Sequence, residues 1–325
     1  MKQGLFKALC VSVLAFSGLA RAEVFPLPPQ NETVVGYTDI YIARKDEAFK
    51  DIARRFGVGY DALVYANRDK TTGNRVDDLS VGNEGEQIIL PKRFILPDAP
   101  RQGIVVNLPE MRLYYYPPSG KTVEVYAIGV GRDGWETPLG LQKIREKRAN
   151  PTWTPPASIH QERKQNCITG ENPDHCNPLP SIVPAGPDNP LGLFAMRLSN
   201  PSYLIHGTNK PDGVGMRVSH GCIRMYPEGI EELFSKVGVD TPVNIINQPV
   251  KLGHYGDAWY LEVHQWFDHE NGVVARGYDT ETLQRLADQL VMSKLGERAE
   301  EVSRAKVQQV VLEAMGLPAN VGGLE

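Results

Sequence analysis

A cysteine acts as a nucleophile only as its thiolate, which needs a nearby cation, an N–H-rich turn or a base in contact. The run Ser219-His220-Gly221-Cys222-Ile223-Arg224 offers such an environment around one thiol. Upstream, Tyr203-Leu204-Ile205-His206-Gly207-Thr208 brings a second imidazole to the end of an apolar, strand-like run. His206 precedes Cys222 by sixteen residues and His220 by two. Gly221 lets the backbone approach closely, so the N–H groups of its turn could hold an oxyanion. These are the parts of an exposed, activated nucleophile: thiol, candidate base and anion-binding turn. A buried structural cysteine is the ordinary alternative, because free Cys is among the most buried residue types. The arrangement around Cys222 reverses those odds.

The remaining cysteines and the chain's first residues say where such a thiol would work. Lys2 and Lys7 precede an apolar run from Ala8 to Ala20, and Ala20-Arg21-Ala22 is a small-residue cleavage pattern before Glu23. Residues 1–22 therefore read as a secretory signal peptide, too short in its apolar part to span a bilayer, and the expected location is the periplasm. Cys10 lies inside the apolar run, which argues against a lipid-bearing cysteine. Cleavage would remove Lys2, Lys7 and Arg21 and no acid, taking the formal charge from −4 to −7. A chain of that sign has no general attraction for nucleic acid or anionic lipid. Cys167 and Cys176 share a Pro/Asn/Asp-rich loop and are the natural disulfide pair of an exported protein, leaving Cys222 free. A zinc site from Cys167, His175, Cys176 and His160 is the alternative use of that loop, without the usual paired spacing.

Between the leader and the nucleophile the pattern changes twice. Residues 23–37 are rich in proline and turn formers and read as a linker. Residues 38–96 read as a small strand–helix–helix–strand unit: Ile40-Tyr41-Ile42, a helix capped by Asp46 with Phe49, Ile52, Ala53 and Phe56 on one face, a helix over Asp61 to Ala66, and Gln87-Ile88-Ile89-Leu90-Pro91. From Gly103 the spacing is two and the residues are β-branched and aromatic, which predicts a hairpin over Ile104–Leu108 and Arg112–Tyr116 and a strand over Thr122–Val130. Residues 149–189, with eight prolines, read as a long irregular lid or wall over the site. Phe194–Leu198 and Tyr203–His206 are strands, Pro227 starts a helix, and Pro242–Ile246 is a closing strand. Beyond residue 249, Trp259–Val263 reads as a strand and Thr280–Met315 as two amphipathic helices around Gly296, packed on the body.

The set Cys222, His206, Gly207, Ser219, His220, Gly221 and Arg224, with Thr137-Pro138-Leu139-Gly140, Pro151-Thr152-Trp153 and Asp188-Asn189-Pro190-Leu191-Gly192, closely resembles the YkuD-type L,D-transpeptidases of the bacterial cell wall. The resemblance covers residues 101–248. Residues 38–96 resemble a LysM domain, with Lys45-Asp46-Glu47-Ala48 where that family has Gly-Asp-Thr. The fold class implied is α+β: a mainly-β catalytic domain of β-sandwich type over 101–248, a βααβ LysM-like domain over 38–96 before it, and a helical extension over 249–325 after it.

Carried onto these residues, the resemblance implies that Cys222 is the nucleophile and His206 its base, oriented by the Gly207 carbonyl. Ser219, His220 and Gly221 shape the oxyanion turn with Cys222, and Arg224 meets a substrate carboxylate or holds the turn. The implied reaction cleaves the bond between the L-centre of a peptidoglycan stem tetrapeptide and its terminal D-Ala. The acyl group is then held as a thioester and passed to an amine, with no metal or organic cofactor. The amine would belong to diaminopimelate, giving 3–3 cross-links, or to a lysine of an outer-membrane lipoprotein. Glycan strands are the partner implied for the LysM-like unit, and carbapenems would acylate Cys222. A hydrolase using the same site, an L,D-carboxypeptidase, and a non-catalytic glycan-binding wall protein are the alternatives. A papain-like protease is disfavoured, because its Cys precedes its His in the chain.

Overall fold

Two ten-residue strands, β10 and β11 below, let one sheet close on itself. The computed structural model describes residues 21–72, 79–170, 176–265 and 278–323; all of the expected leader but Arg21 and Ala22 lies outside them. In chain order, β1 (Glu23–Pro26) and β2 (Val34–Gly36) precede β3 (Asp39–Ile42), α1 (Phe49–Phe56), α2 (Tyr60–Ala66), β4 (Thr71–Thr72), β5 (Ser80–Val81), β6 (Gln87–Leu90) and β7 (Arg93–Ile95). Next come β8 (Gly103–Asn107), β9 (Arg112–Tyr116), β10 (Thr122–Gly131), β11 (Gly140–Ala149), α3 (Ala157–Thr169), β12 (Phe194–Leu198) and β13 (Leu204–His206). β14 (Arg217–Ser219), β15 (Ile223–Met225), α4 (Pro227–Lys236) and β16 (Pro242–Ile246) complete this part. The last part holds β17 (Val250–Tyr255), β18 (Ala258–Val263), α5 (Thr280–Leu295), α6 (Arg304–Glu313) and β19 (Ala319–Gly322).

The first half of β10 pairs with β9 and its second half with β15. β11 likewise pairs with β16 and then, past an irregularity between Ile144 and Glu146, with β12. The ladder therefore runs β10-β15-β13-β12-β11-β16-β8-β9 and returns to β10. The expected sandwich is thus joined at both sides by strands that cross from one sheet to the other. Its interior is filled by Ile104, Val106, Leu113, Ile128, Ile144, Met196, Ile205, Ile223 and Val243, with Ile230 and Leu233 of α4. Burying an aliphatic side chain is worth about 1.5–3 kcal/mol, so this interior is what fixes the register of the strands around it.

Four expectations are corrected. Residues 23–37 are not a plain linker: β1 pairs antiparallel with β10, and Phe25 packs edge-on against Phe94 at 5.7 Å between ring centres. Their apolar residues cover the outer side of β8–β10, where Val105, Tyr114, Tyr116 and Val125 are also buried. Asp46 does not cap α1; it sits in a left-handed turn at φ 57° and Ala48 precedes the helix. Residues 149–189 are not irregular throughout, for they contain the thirteen-residue α3. The segment after residue 249 holds more than the expected strand and two helices: β17 and β19 flank the expected strand, β18, in a sheet of their own, and α5 and α6 pack on that sheet through Leu283, Ala287, Val291, Val307 and Val311.

The strand–helix–helix–strand order over β3, α1, α2 and β6 is as expected, with β3 antiparallel to β6. Among the described residues, no helix is long and apolar enough to cross a membrane.

Candidate active site

Two adjacent parallel strands build the site. β13 ends at His206, β15 starts one residue after Cys222, and their register pairs Ile205 with Ile223 and His206 with Arg224. Side chains alternate along a strand, and Ile205 and Ile223 point into the core. Leu204, His206, Cys222 and Arg224 must then project from the opposite face. The same register continues sideways. β12 pairs Arg197 with Leu204 and Ala195 with His206, and β11 pairs Glu146 with Arg197 and Arg148 with Ala195. This face therefore carries two transverse rows, Glu146–Arg197–Leu204–Cys222 and Arg148–Ala195–His206–Arg224. Apolar residues at alternate positions fix the chemistry on the other side.

His206 is buried, and its Nδ1–H donates to the carbonyl of Gly207 at 2.5 Å, which leaves Nε2 as the acceptor. Burial pushes its pKa down to about 3; the Arg224 guanidinium adds to this and the Gly207 carbonyl opposes it. Cys222 is half-buried and is the free thiol among the described cysteines. Its Sγ lies 3.8 Å from the Ser202 carbonyl. Burial pushes the thiol up, against the Leu204 backbone N–H and the charges of Arg224 and Arg197. Both shifts favour the uncharged forms, thiol and imidazole.

The turn before Cys222 is held from several sides. Gly221 takes φ 94°, and a Cβ there would fall 2.6 Å from a Tyr203 ring carbon, so both conformation and space demand glycine. Its N–H donates to Ser219 Oγ at 3.1 Å, and Ser219 Oγ donates to the Cys222 carbonyl at 2.5 Å. Thr137 Oγ1 donates to the Gly221 carbonyl at 2.9 Å and accepts from Gly131 N–H at 3.0 Å. Gly192 meets the Gly207–Thr208 backbone so closely that a Cβ would come within 2.8 Å of Thr208 N. Thr137 thus braces the Cys222 run and Gly192 the His206 run.

His220 does not share a strand face with Cys222; its ring is held from outside by α3. Glu162 on α3 accepts from His220 Nε2 and, at 2.5 Å, from Arg132 Nη2, while Trp135 packs edge-on against His220 at 4.7 Å. α3 ends beside Cys167, which is bonded to Cys176. That bond uses both thiols of the alternative zinc set; His175 lies outside the described residues and His160 is exposed. Asn189 Nδ2 closes the base of this segment by donating to the Pro151 and Pro184 carbonyls at 2.8 and 3.0 Å.

Glu162, Arg132 and Arg197 are the residues sequence reasoning missed. Each is an ordinary surface-type charge with no motif around it, and only the fold brings Glu162 and Arg132 to His220 and Arg197 into the row of Cys222.

Among the described residues, one group could offer three metal ligands: Glu110, Glu262 and His264, with ligand atoms within 4.8 Å of one another. Internal cations already meet these carboxylates. Lys251 Nζ lies 2.8 Å from Glu110 and 3.1 Å from Glu262, and Arg112 Nη1 lies 3.1 and 2.8 Å from the same two.

Residues 101–245 match the YkuD family, the L,D-transpeptidase catalytic domain. The chain is 43% identical over 252 residues to the probable L,D-transpeptidase YcfS of Escherichia coli K12, covering 76% of this chain and 74% of that one. It is 41% identical over 262 residues to the probable L,D-transpeptidase ErfK/SrfK of the same strain, covering 79% of each. A third relative there, the probable L,D-transpeptidase YbiS, is 39% identical over 268 residues, 81% of this chain and 82% of its own.

Proposed function

The chain belongs to the L,D-transpeptidase family, and from that premise we propose that Cys222 is the nucleophile and His206 the base of a thioester mechanism on peptidoglycan stem peptides. The observation that carries this reading is the register of β13 and β15, which sets both side chains on one face beside a glycine turn. Substrate binding brings an amide carbonyl to Sγ. As the S–C bond forms, the thiol proton passes to His206 Nε2, the lone pair left by the Nδ1–H bond to Gly207. The oxyanion is received at the turn, by the backbone N–H groups of His220 and Cys222; Gly221 contributes the conformation, since its own N–H is spent on Ser219. His206 returns the proton to the leaving amine of D-Ala, and the thioester remains.

An incoming amine attacks the thioester, gives its proton to His206, and expels the thiolate, which recovers that proton. The acceptor is an amine of diaminopimelate or of a lipoprotein lysine, in the periplasm. The βααβ unit over 38–96 is proposed as a LysM-like module that keeps the enzyme on glycan strands. Glu47 in its first loop is engaged by Arg55 at 2.7 Å and Tyr41, which favours a weak glycan contact there.

Intact-mass measurement after incubation with a tetrapeptide donor or a carbapenem tests the reading. A single adduct that disappears in Cys222→Ala is expected; an adduct surviving that change would sink it. Muropeptide analysis of a deletion strain and its complement then identifies the acceptor.

A further inference from the structure

The row Glu146–Arg197–Leu204–Cys222 places a guanidinium on the same sheet face as the thiol, two strands away, or about 10 Å between backbones. Arg197 Nε meets Glu146 Oε2 at 3.3 Å, Nη1 donates to the Pro201 carbonyl at 2.6 Å, and the side chain is 42% exposed. Arg148 in the next row binds the other oxygen of Glu146. Two arginines thus share one carboxylate, leaving one net positive charge in a cleft also lined by Pro151, Thr152, Leu191, Ala195 and Leu204. The chain as a whole is negative, so this local sign is set against the background. Arg224 leans the other way, with Nη1 3.9 Å from where a Cβ on Gly213 would stand.

We propose that Arg197, steadied by Glu146, is the positioning residue that receives the free C-terminal carboxylate of the donor peptide, so that the enzyme selects donors ending in an acid. This rests on the thioester reading above. In a peptide bound with its scissile carbonyl at Sγ, the terminal carboxylate lies one residue further along. An arginine two strands along in the thiol's own row can meet it there. Guanidinium and carboxylate match as paired donors and acceptors, and the cleft's surplus charge draws an anion but not a neutral end. Discrimination of this kind comes from an interaction with one end group, and leaves the reaction at the carbonyl unchanged.

The test compares two tetrapeptide donors, one ending in D-Ala and one in D-Ala amide, on the full exported chain with its disulfide intact. Thioester formation at Cys222 is followed by intact mass in wild type, Arg197→Ala and Arg197→Lys. The wild type should favour the acid by roughly 10- to 100-fold, mainly through KM. Arg197→Ala should bring the ratio close to one, and Arg197→Lys should restore part of it. The ratio cancels any general effect of Arg197 on thiol reactivity or folding, so equal loss with both donors, or an unchanged ratio in Arg197→Ala, overturns the proposal. If wild type takes up neither donor while iodoacetamide still alkylates Cys222, the thioester reading falls first and this one with it.

Discussion

The carboxylate of Glu162, in the middle of α3, holds the imidazole of His220, two residues before the thiol, and at the same time the guanidinium of Arg132. The bond joins the segment over the site to the turn that carries Cys222. Burial alone would raise the Glu162 carboxyl, but hydrogen bonds from Arg132 and His220 outweigh it and hold it below the ordinary value. Glu162→Gln should keep the fold and lower Cys222 acylation about tenfold, the scale of one charge-assisted hydrogen bond. Carbapenem acylation rates would check this, and an unchanged rate would show that His220 needs no external hold.

The pH dependence follows from the uncharged thiol and imidazole. His206, pushed down to about 3, stays uncharged across the physiological range, and the thiol lies above its ordinary value. Alkylation of Cys222 by iodoacetamide should rise steadily with pH past the usual thiol range, with no step between about pH 5 and 8 from His206. A reactive plateau below neutrality would instead reveal a thiolate–imidazolium pair. His206→Ala should abolish acylation by amide donors and leave the thermal midpoint within a few degrees.

Since the depressed His206 is ordinary at 6.5 when unfolded, the unfolded chain binds the extra proton between that value and about 3. Its contribution to stability is complete above the upper value and lost as pH falls toward the lower.

Reduction of Cys167–Cys176 should act locally. α3 buries no side chain, so the bond steadies a segment that packing hardly holds. Closing so short a loop is worth about 2–3 kcal/mol in the chain-entropy model. Cys176→Ser should speed proteolysis between residues 150 and 190 and slow acylation, while moving the global midpoint by less than about 4 °C. Unchanged cleavage and acylation would remove the bond from the working site.

The deepest charges lie elsewhere. Lys251, Glu262, Glu110 and Arg112 are buried together where β17 and β18 meet the β8–β9 hairpin. Burial opposes the charge on Glu262, yet Lys251 first, then His264 and Arg112, hold its carboxyl far below the ordinary range. Lys251→Met removes one of the two cations these carboxylates share, leaving Arg112 alone, and should cost about 3–5 kcal/mol in urea unfolding. Stability from Glu262 is present above its unfolded value of 4.5 and lost as pH falls below it.

The sequence by itself determined the nucleophile and base candidates, the disulfide pair, and the strands around them, because each leaves a local signal. Ser219-His220-Gly221-Cys222 is contiguous, and the β-branched and aromatic runs of Arg112–Tyr116 and Thr122–Val130 mark strands, here buried on both faces. α3 left none: it is polar on every side, and its neighbours are prolines, so no apolar stripe marks it. Tertiary structure alone decided that Glu162 meets His220, that Arg197 shares a row with Cys222, and that β1 completes the outer side of β10. The reason is distance along the chain. Strand register brings together residues that no spacing in the sequence connects, and the buried isoleucines at 205 and 223 choose which of them face the thiol.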